Sequence, residues 1–139
     1  PGYHEPLFDG IRECLVALDA AGFLLAVATG KSQRGLAATL EQHELRSLFV
    51  SLQTADDAPG KPHPGMLEQA MSDVGATPSD TVLIGDTVFD MQMARNAGTA
   101  GIGVSWGYHG VDELKQSGAH EIVDRCEQLL PSAHRLIGI

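Results

Sequence analysis

At 139 residues, with 43% apolar and 19% charged side chains, the chain has the composition of one globular domain with its own core, which excludes a disordered segment. Lysine and arginine number 9 against 18 aspartates and glutamates, and the formal charge of -9 disfavours nucleic acid or an anionic membrane as a partner. No apolar stretch is long enough to span a membrane and no basic segment precedes an apolar one at the start, so a cytoplasmic protein is expected. Cys14 and Cys126 stand far apart without metal-ligand spacing, which predicts reduced thiols with an inert packing role. The first residue is Pro1, not Met, which predicts processing or an excised segment.

In chain order, residues 1–10 form an irregular entry, and Asp9 is expected to cap a helix whose apolar stripe is Ile11, Cys14, Leu15 and Leu18, ending at Gly22. Residues 23–28 are continuously apolar and predict a buried strand leaving through Gly30. A helix over 32–43 then carries Leu36 and Leu40 on one face. Residues 48–52 predict a third element, a strand, followed by a polar loop over 54–64. The next helix carries Met66, Leu67, Ala70, Met71 and Val74. Residues 81–84 are a short β-branched run, read as a strand buried on both faces, and Gly85 marks its exit. The helix after it keeps Met91, Ala94 and Gly98 at three-to-four spacing, with Gly98 as its C-terminal cap. A strand over 100–104, a short helix over 111–117, an edge strand over 121–124 and a closing helix over 125–137 complete the chain. Strands alternate with helices and no repeat or linker intervenes, so a parallel α/β sheet with helices on both faces is expected.

Ligands of such sheets bind outside the carboxyl ends of the strands. Polar residues follow strands there in three places. At Thr29-Gly30-Lys31-Ser32 a hydroxyl, a glycine amide and a helix start meet, a combination suited to phosphate; turn and cap chemistry is the simpler reading of Thr29 and Ser32. It is not a P-loop, because the required first glycine would fall at Leu25, inside the strand. Lys61 is flanked by Gly60 and Pro62, with Pro64 beyond, so its backbone is restricted and its charge held in place. Asp86 and Asp90, four residues apart, are expected to project to one side, where Mg²⁺ would relieve their repulsion. The plainer alternative is that Asp86 caps the helix and Asp90 favours its positive end.

Threonine, lysine and paired aspartates on successive strand ends resemble motifs two, three and four of the haloacid dehalogenase superfamily, in order and over nearly the whole chain. Ala28-Thr29-Gly30 resembles the phosphate-binding threonine motif, Lys61-Pro62-His63-Pro64 the K-P-x-P motif, and Gly85 to Asp90 the G-D-x-x-x-D metal motif. The likeness is strongest to the phosphoglycolate phosphatase type, Mg²⁺-dependent phosphomonoesterases with a small cap domain. The paired aspartates speak for phosphate chemistry, since true dehalogenases lack them. The resemblance implies a three-layer α/β/α Rossmann-like core. In it Thr29 and Gly30 bind phosphoryl oxygens and Lys61 neutralises phosphate and nucleophile. Asp86 holds Mg²⁺, and Asp90 is a ligand or its support. The substrate is then a small phosphorylated metabolite.

The chain departs from the family at one point: the D-x-D-G-T motif, whose first aspartate forms the aspartyl-phosphate and whose second is general acid and base, occurs nowhere in it. Leu7-Phe8-Asp9-Gly10 is only a faint likeness, without a preceding strand or a second acid. The chain is therefore expected to be the C-terminal portion of a longer hydrolase, inactive alone, with the nucleophile and the cap on an N-terminal segment. The alternative is a non-catalytic phosphate- and metal-binding module. The strand bearing D-x-D-G-T would lie between those of residues 23–28 and 81–84. These two are then expected about 10 Å apart, with facing backbone groups unpaired, whereas a self-sufficient sheet would pair Val27 with Leu83 directly. The six histidines show no ligand spacing and read as loop or surface residues. The segment from Trp106 to His109 lies at the same carboxyl edge.

Overall fold

The computed structural model describes residues 10–107 and 109–137. Strands and helices alternate as α1 (Ile11–Ala20), β1 (Leu25–Ala28), α2 (Gln33–Gln42), β2 (Phe49–Gln53), α3 (Gly65–Val74), β3 (Val82–Gly85), α4 (Val88–Ala97), β4 (Ala100–Val104), α5 (Val111–Gln116), β5 (Glu121–Val123) and α6 (Leu129–Ile137). Local chemistry sets the ends. The Ser32 hydroxyl accepts the Gly35 amide and opens α2, while Gly75 and Gly98 close α3 and α4 in the left-handed conformation, at φ 70° and 79°. The closing helix starts later than expected because residues 126–128 form a single 3₁₀ turn first. Asp9 lies outside the described residues; the N-cap position of α1 is Gly10, which has no side chain to offer.

The strands form two separate parallel ladders. β1 pairs with β2, and β3, β4 and β5 pair in that order, so Val27 faces Leu52 and Leu83 faces Gly101. Among the described residues no ladder joins β1 to β3, so Val27 and Leu83 are not directly paired. One expectation fails here. β1 and β3 are not buried on both faces: neither contains a buried residue, and Ala26 and Ile84 are exposed. β4 has four buried residues out of five. The difference follows from position, because β4 has a strand on either side whereas, among the described residues, β1 and β3 each pair with one strand only.

Helices hold the two ladders together. On one face, Met66, Leu67 and Met71 of α3 and Met93 of α4 form a buried cluster that receives Ala28 from β1 and Leu83 from β3. On the other face, Leu36 and Leu40 of α2 pack with Val27 and Leu52, and Leu129 at the start of α6 packs with Val82, Ile102 and Val104. Helix α1 straddles this second face: Leu15 enters the β1–β2 cluster and Cys14 the β3–β5 cluster. The alternation of Val27 with Ala28, and of Val82 with Leu83, is the two-residue period of a strand lying between two helical layers.

The glycines of β4 set how closely the helices approach. A Cβ at Gly101 would stand 3.1 Å from the Met91 sulfur, and one at Gly103 would stand 2.8 Å from Ile122 Cδ1 and 3.0 Å from Leu114 Cδ1. Gly103→Ala is therefore expected to overpack this face and lower stability by about 1–3 kcal/mol, read as a lower denaturant midpoint. An unchanged midpoint would show that α5 has slack this packing does not suggest.

Candidate active site

The site is built on the carboxyl ends of β1 and β3 and on the loops that follow β2 and β4. Thr29 continues β1, its amide donating to the Gln53 carbonyl at 3.0 Å. Its hydroxyl accepts the Lys31 amide at 3.2 Å, so what this oxygen has left to offer a ligand is its proton. Gly30 is exposed, and a Cβ there would meet nothing within 4 Å, so its backbone is open to close approach. Ser32 is accounted for by its capping role.

Asp90 organises the other half. It is 4% exposed, and both carboxylate oxygens are engaged. Oδ1 meets Lys61 Nζ at 2.6 Å; Oδ2 accepts the Asp86 amide at 3.2 Å, the Thr87 amide at 3.2 Å and the Thr87 hydroxyl at 2.9 Å. The Thr87 hydroxyl also accepts the Asp90 amide at 3.1 Å, completing a capping box at the start of α4. The capping alternative for Asp86 is thereby corrected: Thr87 is the cap. Asp86 precedes α4, so the four-residue helical spacing does not apply to it, and its neighbourhood to Asp90 comes from the strand-to-helix turn. Gly85 is necessary to that turn, since a Cβ there would collide with the Asp90 side chain.

The loop after β4 wraps over Asp86. A Cβ on Gly107 would collide with Asp86 Cβ, so only glycine permits this approach. The His109 amide donates to the Asp86 carbonyl at 3.0 Å, and its Nδ1 accepts the Val88 amide at 2.8 Å, which places the proton of a neutral imidazole on Nε2. The Phe89 ring, 49% exposed, lies 6.0 Å from the imidazole of His109. Tyr108, between them in sequence, lies outside the described residues.

The lysine loop is tied down on both sides. The Lys61–Pro62 peptide is cis, and the Pro62 carbonyl accepts Asn96 Nδ2 at 3.0 Å from α4. Upstream, Asp57 Oδ2 accepts the Thr54 amide and hydroxyl, each at 2.8 Å, and Gln33 Nε2 at 2.6 Å, while Asp56 accepts the Gln33 amide at 2.8 Å. The Thr54 hydroxyl is the main reason that the Asp57 carboxyl is held below the usual carboxylate range. These bonds lock the loop after β2 onto the start of α2, so the segments bearing Lys31 and Lys61 are fixed to one another.

The structure thus brings together Lys61, Asp86 and Asp90, and places Thr29 and Gly30 at the end of β1 in the other ladder. Sequence reasoning assigned no role to Thr87, Thr54 or Asp57, and it placed Gly107 and His109 at this edge without their contacts to Asp86 and Val88. A signal existed for the first: Thr87-x-x-Asp90 has the capping-box spacing. For Gly107 and His109 the sequence showed the edge but not the partners, because these come from a tertiary crossing. Among the described residues no three His, Cys, Asp or Glu side chains are grouped as a metal site.

Comparisons with known proteins show the family. A family model described as haloacid dehalogenase-like hydrolase matches residues 3–104. A probable phosphatase IndB of Dickeya dadantii is 42% identical over 94% of the chain and 57% of its own length. A phosphoglycolate phosphatase of Vibrio vulnificus is 33% identical over 89% of the chain and 55% of its own. Among solved structures, a predicted phosphoglycolate phosphatase of Haemophilus somnus superimposes with TM-score 0.85 at 29% identity, over 91% of the chain and 57% of that protein. The chain therefore spans little more than half the length of these relatives. Its family model match and its motif geometry make it a member of the haloacid dehalogenase-like hydrolase family.

Proposed function

We propose that this chain is the core portion of a Mg²⁺-dependent phosphomonoesterase that acts on a small phosphorylated metabolite in the cytoplasm. Its nucleophilic aspartate lies on a strand supplied by a further N-terminal segment. One observation supports the reading: among the described residues no ladder joins β1 to β3, with Thr29 and Gly30 at the end of one and Asp86 beside the Lys61–Asp90 pair at the end of the other, and the reading puts a gap of one strand between them. A strand filling that gap would deliver its own carboxyl end between the phosphate-binding and the charged groups.

In this reading Thr29 donates its hydroxyl proton, and Gly30 its amide, to phosphoryl oxygens. The Lys61 ammonium, with one of its three donors committed to Asp90, turns the others toward phosphate and nucleophile. The supplied aspartate attacks phosphorus as the leaving alkoxide takes a proton from the second acid of its motif. Water, deprotonated by the same acid, then hydrolyses the aspartyl-phosphate. The residues present fit Mg²⁺ in part. Asp86 would hold the ion, and Asp90, with both oxygens engaged, would support it by fixing its backbone. Mg²⁺ keeps several waters and takes few protein carboxylates, so Asp86, one carboxylate from the supplied strand and a phosphate oxygen suffice. The ion supplies charge neutralisation at the phosphoryl group. A binding module without turnover is the reading that stands if the intact protein lacks such a strand.

The 139-residue chain is expected to bind Mg²⁺ weakly, with Asp86→Asn abolishing the calorimetric signal; tight binding that survives the substitution would move the metal elsewhere. In the intact protein, Asp86→Asn or Lys61→Ala is expected to lower kcat on an aryl phosphate by about 10²–10³-fold, since each removes charge stabilisation while leaving the nucleophile. Full activity in either would show that the site is misplaced.

A further inference from the structure

The exposed large apolar side chains among the described residues are Val16, Leu24, Val50, Ile84 and Phe89, and Phe89 is the one aromatic ring in that group. It stands in the first turn of α4, three positions after Asp86, with 49% of its surface exposed. None of the three buried clusters includes it. Single aliphatic side chains on a surface need no account, whereas a ring left half in water gives up one of the larger gains that burial offers. The position of this ring is also fixed. The His109 amide donates to the Asp86 carbonyl at 3.0 Å, and His109 Nδ1 accepts the Val88 amide at 2.8 Å. The Phe89 ring lies 6.0 Å from that imidazole, centroid to centroid, with the two planes at 58°. Phe89 is therefore joined to Asp86 through a single residue and stands at the rim of the site.

We propose that Phe89 is a specificity-determining residue: a ledge that receives the organic part of the substrate and selects phosphomonoesters carrying a flat, uncharged ring. The inference rests on the phosphomonoesterase reading and names its substrate class. In that reading Thr29, Gly30, Lys61 and Asp86 are all taken up by the phosphoryl group or the ion, so the organic part of the ester has no partner assigned. An aromatic face carries the negative part of the ring quadrupole, so a second ring packs on it offset or edge-on, while a carboxylate laid against it is repelled. The neighbouring imidazole supplies no countercharge, because an Nδ1 that accepts the Val88 amide carries no proton. A flat, uncharged group is thus the favoured occupant, and a carboxylate-bearing ester of similar size is the disfavoured one.

The ledge is separable from the charged groups beside it. The capping box at the start of α4 runs between Thr87 and Asp90 and uses no atom of the Phe89 side chain. Alanine is the best helix former, so Phe89→Ala removes the ring and keeps both the helix and the Lys61–Asp90 pair. Phe89→Tyr keeps a ring of the same outline, and so it retains the selection that Phe89→Ala loses.

The test measures, by calorimetry on the intact protein with Mg²⁺, the binding of phenylphosphonate and methylphosphonate, which share the phosphonate and differ in the ring. Phenylphosphonate is expected to bind about 3–10-fold more tightly. Phe89→Ala should erase that difference by weakening phenylphosphonate alone, and Phe89→Tyr should keep it. In turnover, Phe89→Ala is expected to raise KM for an aryl phosphate by a similar factor, with kcat unchanged and the kinetics on glycerol phosphate unaffected. Equal affinities for the two phosphonates in the unsubstituted protein would overturn the proposal. So would a Phe89→Ala protein that loses both phosphonates equally or melts at a lower temperature, since the ring would then be packing against another segment of the protein. Failure of the unsubstituted protein to hydrolyse any phosphomonoester would instead overturn the phosphatase reading, and this inference with it.

Discussion

A backbone amide or carbonyl on a strand edge must be paired or reach water, and a parallel strand flanked by helices on both faces has little water to reach. β1 and β3 meet this requirement on one edge each. No ladder among the described residues joins their other edges, and their side chains are less buried than those of β4, which has both neighbours. The rest of the molecule is arranged about that constraint. Helices α3 and α4 bridge the ladders through a methionine-rich cluster, and α1 does so on the opposite face, so the halves are held in register by side chains where hydrogen bonds do not join them.

The same division runs through the site. The end proposed to bind phosphate, Thr29 and Gly30, belongs to the β1–β2 half; the charged end, Asp86 and Asp90, belongs to the β3–β5 half. Lys61 connects them, anchored upstream by Asp57 and Thr54 to the start of α2 and downstream by Asp90 to α4. Asp90 therefore does more than contribute charge. One of its oxygens aims the lysine and the other fixes the amides of Asp86 and Thr87, so its burial is matched by partners on every side.

Much of this was legible in the sequence, for identifiable reasons. Short β-branched or apolar runs alternating with helical stripes yield a parallel sheet with few alternatives, and glycine or a hydroxyl at each strand exit marks the ligand edge. The absence of D-x-D-G-T predicted that Val27 and Leu83 would not pair, and they do not. Burial was read less well. An apolar strand such as residues 23–28 looks two-faced in sequence whether or not its neighbours are present, so the exposure of Ala26 and Ile84 could not be read from composition. The approach of Gly107 to Asp86 was equally hidden, because only the crossing of the loop after β4 brings them together.

Amide hydrogen exchange on this chain tests the central claim most directly, because the claim concerns which backbone groups are bonded. Alternate amides of β1 and β3, those pointing into the gap, are predicted to exchange on the order of a hundredfold faster than those of Ile102 to Val104 in β4. In the intact protein, a strand seated between β1 and β3 is predicted to slow them to the rate of β4. Protection of every β1 and β3 amide to the β4 level in this chain alone would mean that the two ladders join directly, and would contradict the account.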